Sequence, residues 1–196
     1  MRNQDNTLQK IRQALNSFEA FPYQSPDFPE PTPSAVLVVL HLMAEQWHVL
    51  LTKRSENLTS HPGQISFPGG RVESSDDNLM ATAKREAAEE VGLCESLIDV
   101  FAELTPVTTL TGYSIHPYVA AIEELPELTL QTAEVDSAFH VPLAWLIDSD
   151  NISTVERNIN GLNIKTFRLD WESHVIWGAT AMMIAELAHR LKHLDS

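Results

Sequence analysis

A single cysteine, Cys94, leaves the chain without any intrachain disulfide, so a packed core rather than covalent staples must hold it together. That fits a reducing cytoplasm, the compartment expected here. Cys94 itself is expected as a small buried residue rather than a nucleophile. Basic residues are scarce, 13 Lys and Arg against 27 Asp and Glu, for a formal charge of −14. Such a surface repels nucleic-acid backbones and anionic membranes, which argues against both as partners, and a polyanionic ligand must then arrive with a compensating cation. Long apolar runs are also missing. The runs near 35–43 and 176–188 are interrupted or too short to span a bilayer, and the opening MRNQDNTLQKIRQ has no apolar region of a signal peptide. Neither secretion by a signal peptide nor a helical anchor is expected.

What the chain does have is enough apolar residues, 43% of 196, for one sizeable core. Leu8, Ile11, Leu15 and Phe18 recur at helical spacing behind candidate caps Asn6 and Thr7, so a short amphipathic helix opens the chain. It packs on the body or on a second subunit, which keeps a homodimer among the expected partners. Five prolines, at 22, 26, 29, 31 and 33, make residues 19–34 a semi-rigid connector without helix or central strand. The expected division is therefore a helix and Pro-rich connector over 1–34 and a catalytic domain over 35–196.

Strand character begins at Ala35–Leu42, a β-branched run expected to be buried on both faces, and resumes at Trp47–Thr52 after a turn near Glu45. His41 is expected as a core or edge residue, since no second His or Cys stands at metal spacing. Segments 97–105, 113–122, 152–158 and 162–169 read as further strands, with Asn160-Gly161 as the hairpin between the last two. Ile176–Leu191 reads as a closing helix whose Met182 and Met183 fill core space. Strands, a helix, more strands and a final helix predict an α/β fold with a mixed sheet sandwiched by helices. No internal repeat is present.

The most informative segment is Phe67-Pro68-Gly69-Gly70 followed by Arg85-Glu86-Ala87-Ala88-Glu89-Glu90-Val91-Gly92-Leu93. Residues 78–91 hold good helix formers and no Gly or Pro, with Gly92 as a stop. On that helix Glu86, Glu89 and Glu90 share one arc of about 100°, while Met80, Ala81, Ala87, Ala88 and Val91 gather opposite. Three carboxylates crowded near the negative end of a helix dipole repel one another by a few tenths of a kcal/mol up to about 1 each. A hard divalent cation reverses the sign of that interaction.

Gly70, Asp77, Arg85, Glu86, Glu89, Glu90, Gly92 and Leu93 together resemble the Nudix box, with an Asp (77 or 76) where that box has Glu and a spacer one residue longer. The upstream Leu50-Leu51-Thr52-Lys53-Arg54-Ser55, Gly63 and Phe67–Gly70 resemble the second motif of the coenzyme A pyrophosphatase branch, except that its spaced Arg is Thr59 here. Pro106-Val107, Thr111-Gly112-Tyr113 and Ile176-Trp177-Gly178-Ala179-Thr180-Ala181 extend the resemblance over roughly residues 35–190.

The resemblance implies a Nudix-type α/β/α sandwich with the box beside the sheet, and hydrolysis of a small-molecule pyrophosphate with Mg²⁺ or Mn²⁺. Glu86, Glu89, Glu90 and a Gly70 (or Gly69) carbonyl are the implied metal ligands, and Glu86, Glu89 or Glu134 the acid that orients or deprotonates water. Arg85, a quarter turn from the carboxylates on the helix, is assigned to pairing Asp77 or Asp76 and steadying the preceding loop. Arg54, Ser55, His61 and Phe67 are the substrate-binding candidates. The substrate implied is coenzyme A or a derivative. Alternatives are another nucleoside diphosphate derivative, and a nucleotide-sensing domain without catalysis, which would have no need of all three glutamates.

Overall fold

The computed structural model describes residues 2–17, 21–22, 29–159 and 162–194. Helix α1 (Arg2–Asn16) opens it, so Asn6 and Thr7 lie within the helix instead of capping it. Phe18 and much of the proline connector lie outside the described residues. Ile11 and Leu15 enter the core, and α1 lies on the body of the protein. Arg190 of the last helix donates to the Leu15 carbonyl at 3.0 Å, and the same guanidinium pairs with Glu186, a carboxylate that is 1% exposed. Glu186 in turn accepts from the Thr105 N–H and hydroxyl, so this buried charge is fully engaged.

Strand β1 (Thr32–Met43) is the spine of the fold. It begins three residues earlier than the sequence suggests and includes Pro33. The proline is tolerated as the strand's second residue: it lies opposite Ser114, while on the other edge its carbonyl accepts from Val72 and the pairing with Gly69–Arg71 starts only at Ser34. A two-residue turn, Ala44-Glu45, with both residues at positive φ, leads into β2 (Gln46–Arg54). After β3 (Ile65–Ser66) and β4 (Gly69–Arg71), helix α2 (Leu79–Val91) is followed by β5 (Asp99–Glu103), β6 (Val107–Thr108), β7 (Tyr113–Glu124) and β8 (Val135–Pro142). A short helix α3 (Leu143–Ile147), strands β9 (Ser153–Ile159), β10 (Leu162–Trp171) and β11 (His174–Trp177), and helix α4 (Gly178–Leu191) complete the chain.

The main sheet runs β3-β2-β1-β7-β5, with β4 also on β1, β6 on β7 and β8 on β2. It is mixed, because β1 and β7 are parallel while the other pairs are antiparallel. Alternation along β1 sends Ala35, Leu37 and Val39 into a core with Ala83, Ala87 and Val91 of α2. Val36, Val38 and Leu40 face the other way, into a core with Ile184, Leu187 and Leu191 of α4. The expected sandwich is thus present, helices on both faces of a mixed sheet, and Ala35–His41 is buried on both sides. A separate sheet, β11-β10-β9, stands beside it.

Two expectations need correction here. The closing helix starts at Gly178, since Ile176 and Trp177 pair with Leu169 and Arg168 across β11 and β10. Cys94 is exposed, in the turn after α2, where its sulfur meets the Ser96 hydroxyl at 3.0 Å. The Asn160-Gly161 turn lies outside the described residues, although Leu162 pairs with Ile159 on either side of it.

Candidate active site

Helix α2 is bounded at both ends by local chemistry. Asn78 caps its start, its side-chain oxygen accepting from the Ala81 N–H at 3.0 Å. Gly92 closes it in the left-handed conformation, φ 75°, with its N–H on Ala88 and that of Leu93 on Ala87. The face that packs is Ala83, Ala87 and Val91, with Thr82 and Glu90 also buried. Met80, placed on the packing side by periodicity, is 37% exposed in the first turn of the helix.

Arg85 is the organiser of this helix. Its Nε and Nη2 donate to both oxygens of Asp76 at 2.8 and 3.0 Å, a bidentate pair that holds the Asp76 carboxyl far below the usual range. Asp76, not Asp77, is therefore the loop acid that Arg85 anchors. The guanidinium also donates to the Arg71 carbonyl at 3.0 Å and reaches Glu86 and Glu89 at 3.1 and 3.0 Å. Its quarter-turn offset on the helix describes the Cβ direction only; the long side chain curls back to the carboxylates.

The three glutamates differ in environment. Glu90, 4% exposed, accepts from the Gly69 N–H at 3.1 Å and lies 3.9 Å from Arg54. Burial pushes its carboxyl up to about 7, against the pull of the Gly69 N–H and of Arg54 and with the push of Glu86 and Glu134. Glu86 is half-buried and raised for the same leading reason, opposed by Arg85. Glu89 is exposed apart from its Arg85 contact. The Gly69-Gly70 turn of β4 lies directly over these acids. A Cβ built on Gly70 would stand 2.4 Å from Glu86 Oε1, and one on Gly69 would strike the Ala35 carbonyl and the Val36 backbone.

Glu134 arrives from the segment between β7 and β8. Thr129 and Gln131 donate to the carbonyls of Val91 and Glu90 at the end of α2, and the Glu134 carbonyl accepts from the Ser55 N–H. The Glu134 charge is near enough to raise both Glu86 and Glu90. Four carboxylates from two segments therefore face one region around Gly69-Gly70. Among the described residues no three His, Cys, Asp or Glu side chains converge as a metal cage; Arg85 meets Glu86 and Glu89, and the Gly69 N–H meets Glu90. The donor set still suits a hard divalent ion. It offers carboxylates that burial leaves under-compensated, beside a glycine turn that admits close approach.

Across the turn from α2 opens a cavity of about 480 Å³, bounded by the β2–β4 segment, the β6–β7 turn and the start of α4. Arg54, His61 and Phe67 line it, Phe67 being almost wholly buried in its floor. Ser55 does not line it; this buried side chain accepts from the Asn57 N–H. Thr59 is exposed outside the cavity lining. Arg71, Tyr113, Trp177, Met182 and Met183, which spacing alone had not marked as site residues, complete the walls. His41 is buried as expected, yet it sits in a cluster that linear spacing hides. The His140 ring nitrogen lies 2.9 Å from it and the His48 ring stacks at 5.9 Å, His48 from the neighbouring β2 and His140 from β8 on the far side of β2.

Known proteins resemble this chain in sequence and in fold. A model of the NUDIX domain matches residues 31–159. The uncharacterized Nudix hydrolase NudL of Enterobacter sp. (strain 638) is 34% identical over 190 residues, 96% of each chain. That of Photorhabdus laumondii subsp. laumondii is 34% identical over 144 residues, 74% of this chain and 77% of its own. Among solved structures, a MutT/nudix family protein from Enterococcus faecalis superimposes with a TM-score of 0.54 at 16% identity, covering 94% of this chain and 74% of its own. The Nudix hydrolase RenU from M. smegmatis gives 0.51 at 21% identity, covering 62% and 76%. No helix among the described residues is long and apolar enough to cross a membrane.

Proposed function

The chain belongs to the Nudix hydrolase family, enzymes that split small-molecule pyrophosphates with divalent metal ions, and on that premise we propose that it cleaves coenzyme A or a derivative of it. The products are phosphopantetheine and 3′-phosphoadenosine 5′-phosphate. The observation that carries this reading is the cavity beside Gly69-Gly70, whose lining includes two arginines and no carboxylate in a chain of formal charge −14. Its wall from Arg54 to Gly70 is the same segment that resembles the coenzyme A branch.

Glu86, Glu89, Glu90 and the Gly70 carbonyl are the groups that would hold Mg²⁺ or Mn²⁺. Such an ion, when bound, neutralises diphosphate oxygens and makes a nucleophile of water. The remaining work belongs to the chain. Arg85 positions Glu86 and Glu89 through its contacts at 3.1 and 3.0 Å, and the Gly69 N–H fixes the Glu90 rotamer. Glu134 or one of the helix glutamates accepts the proton of the attacking water. Arg54, which lines the cavity and lies 3.9 Å from Glu90, brings a guanidinium to the cavity end nearest the glutamates, where it would donate to a phosphate oxygen. The proposed division is that residues 35–196 form this catalytic unit and 1–34 its support.

Hydrolysis of another nucleoside diphosphate derivative is the second reading, favoured by the exposed Thr59 in the position where the branch carries Arg. The deciding experiment incubates purified protein with Mg²⁺ or Mn²⁺ and a panel of coenzyme A, a dinucleotide and a nucleotide sugar. Coenzyme A should be consumed fastest, with 3′-phosphoadenosine 5′-phosphate released. Efficient cleavage of the others with coenzyme A untouched would replace the first reading with the second.

A further inference from the structure

The same cavity carries one more assignment. A diphosphate held over the glutamates needs a metal and a nearby donor, and Arg54, 3.9 Å from Glu90, stands at that end. Arg71 is a second cation and needs its own explanation. It follows Gly70 in β4, so strand alternation turns its side chain to the opposite face from the one on which Gly70 meets Glu86. There its guanidinium lies over the Tyr113 ring, 5.0 Å from the centroid, and Nη2 donates to the Tyr113 hydroxyl. Among the described residues no carboxylate pairs with it, although the chain holds twice as many acids as bases, 27 against 13.

Both halves of this pair are held from behind. The Arg71 carbonyl accepts from Arg85, and Tyr113 is fixed by a turn in which Thr109 N–H donates to its carbonyl at 2.8 Å and Thr109 Oγ1 accepts its N–H at 3.1 Å. An arginine whose guanidinium lies over an aromatic ring, with most of its donor fork unspent, is pre-organised to bind an anion through paired hydrogen bonds.

We propose that Arg71, clamped on Tyr113, is the receptor for a phosphate monoester that the substrate carries apart from the scissile diphosphate, and that it thereby sets selectivity for phosphorylated over unphosphorylated nucleotides. The assignment rests on the coenzyme A reading, in which that group is the 3′-phosphate. It adds the residue that recognises it.

The test compares coenzyme A with dephospho-coenzyme A as substrates, and 3′-phosphoadenosine 5′-phosphate with AMP as ligands by calorimetry. Wild type, Arg71→Gln, Arg71→Lys and Tyr113→Phe are measured, with melting curves for each. In Arg71→Gln the ratio of kcat/KM between the two substrates should shrink at least about tenfold, through KM rather than kcat, the scale of one charge-assisted phosphate contact. The affinity ratio of the two ligands should shrink alike. Arg71→Lys should lie between, since it keeps the charge and loses the fork, and Tyr113→Phe should weaken phosphate selectivity by a smaller factor. Equal losses for both members of each pair would overturn the assignment, as would unchanged ratios or a wild type that binds the two ligands alike. If wild type ignores both coenzyme A species yet binds 3′-phosphoadenosine 5′-phosphate more tightly than AMP in an Arg71-dependent way, the substrate reading is lost and the receptor stands.

Discussion

Replacing Gly70 by alanine would set a methyl carbon 2.4 Å from Glu86 Oε1, 2.5 Å from Cδ and 2.8 Å from Oε2. Non-bonded contacts settle near about 3.5 to 4.0 Å, so the carboxylate must retreat by about 1 Å. It can do so, being the end of a flexible side chain, and the fold should lose no more than about 1 kcal/mol. Chemistry has no such tolerance, because a misplacement of about 1 Å costs on the order of 100-fold in rate. The neighbouring change provides the control. At Gly69 φ is 157° and an added Cβ would meet the Ala35 carbonyl at 2.4 Å and Val36 Cα at 2.6 Å, atoms of the central strand that cannot give way. Backbone strain and overpacking together amount to about 2 to 6 kcal/mol there. For a chain of this size each kcal/mol moves Tm by about 2 to 4 °C. Turnover at saturating substrate and circular dichroism melting should therefore separate the two, Gly70→Ala folded and nearly inactive, Gly69→Ala strongly destabilised. A folded, fully active Gly70→Ala protein would refute the placement of Glu86 at the reacting centre.

Glu86→Gln and Glu90→Gln should each lower kcat by at least about 100-fold while the circular dichroism spectrum is preserved, the scale of losing one key electrostatic group. A divalent ion at 100 times its dissociation constant should stabilise the protein by about 2.7 kcal/mol, and the shift should vanish in the Glu86→Gln/Glu89→Gln/Glu90→Gln variant. Acid titration should reveal two opposed groups. Burial holds His41 down to about 4, so the unfolded chain binds its proton first and this contribution, present above pH 6.5, is lost as pH falls through 4. Glu90, raised to about 7, works the other way in metal-free protein, where stability should rise as pH falls from 7 toward 4.5. Urea midpoints across pH 4 to 8 for Glu90→Gln and for His41→Leu/His140→Leu should each remove one slope; a wild-type profile in both variants would show that neither group titrates as its burial requires.

How much of this was legible beforehand follows from where the information is stored. Helix α2 was readable because an unbroken run of alanines and glutamates and the Gly92 stop encode its body and end; the Asn78 cap, counted as part of the helix by composition, emerged only from its side-chain bond to Ala81. The Arg85–Asp76 pairing was half readable, since spacing left Asp76 and Asp77 equivalent and only the loop geometry chose between them. Strand β8 escaped notice because Val135–Pro142 mixes apolar and polar residues and ends in proline; pairing with β2 overrides its weak propensity. Cys94 was placed inside by its residue type and lies outside, in the turn that follows the Gly92 cap, where the buried position goes to Leu93 instead. The cavity was out of reach for a different reason. Arg71, Tyr113, Trp177 and Met183 are scattered over more than a hundred positions, and no linear pattern joins residues that meet only through the β1–β7 and β10–β11 ladders.

The Gly69-Gly70 turn acts as a partition. On one side stand the acids and Arg85; on the other, Trp177, Ala179, Met182 and Met183 at the head of α4 shape the cavity wall. The acids proposed to cut and the apolar wall of the cavity are thus carried by separate stretches of chain, α2 and the head of α4, on opposite faces of the sheet. On the proposed reading, variation confined to positions 177–183 reshapes the cavity wall without touching the glutamates of α2, so a lineage or a mutagenesis library can explore new substrates without first surrendering its chemistry.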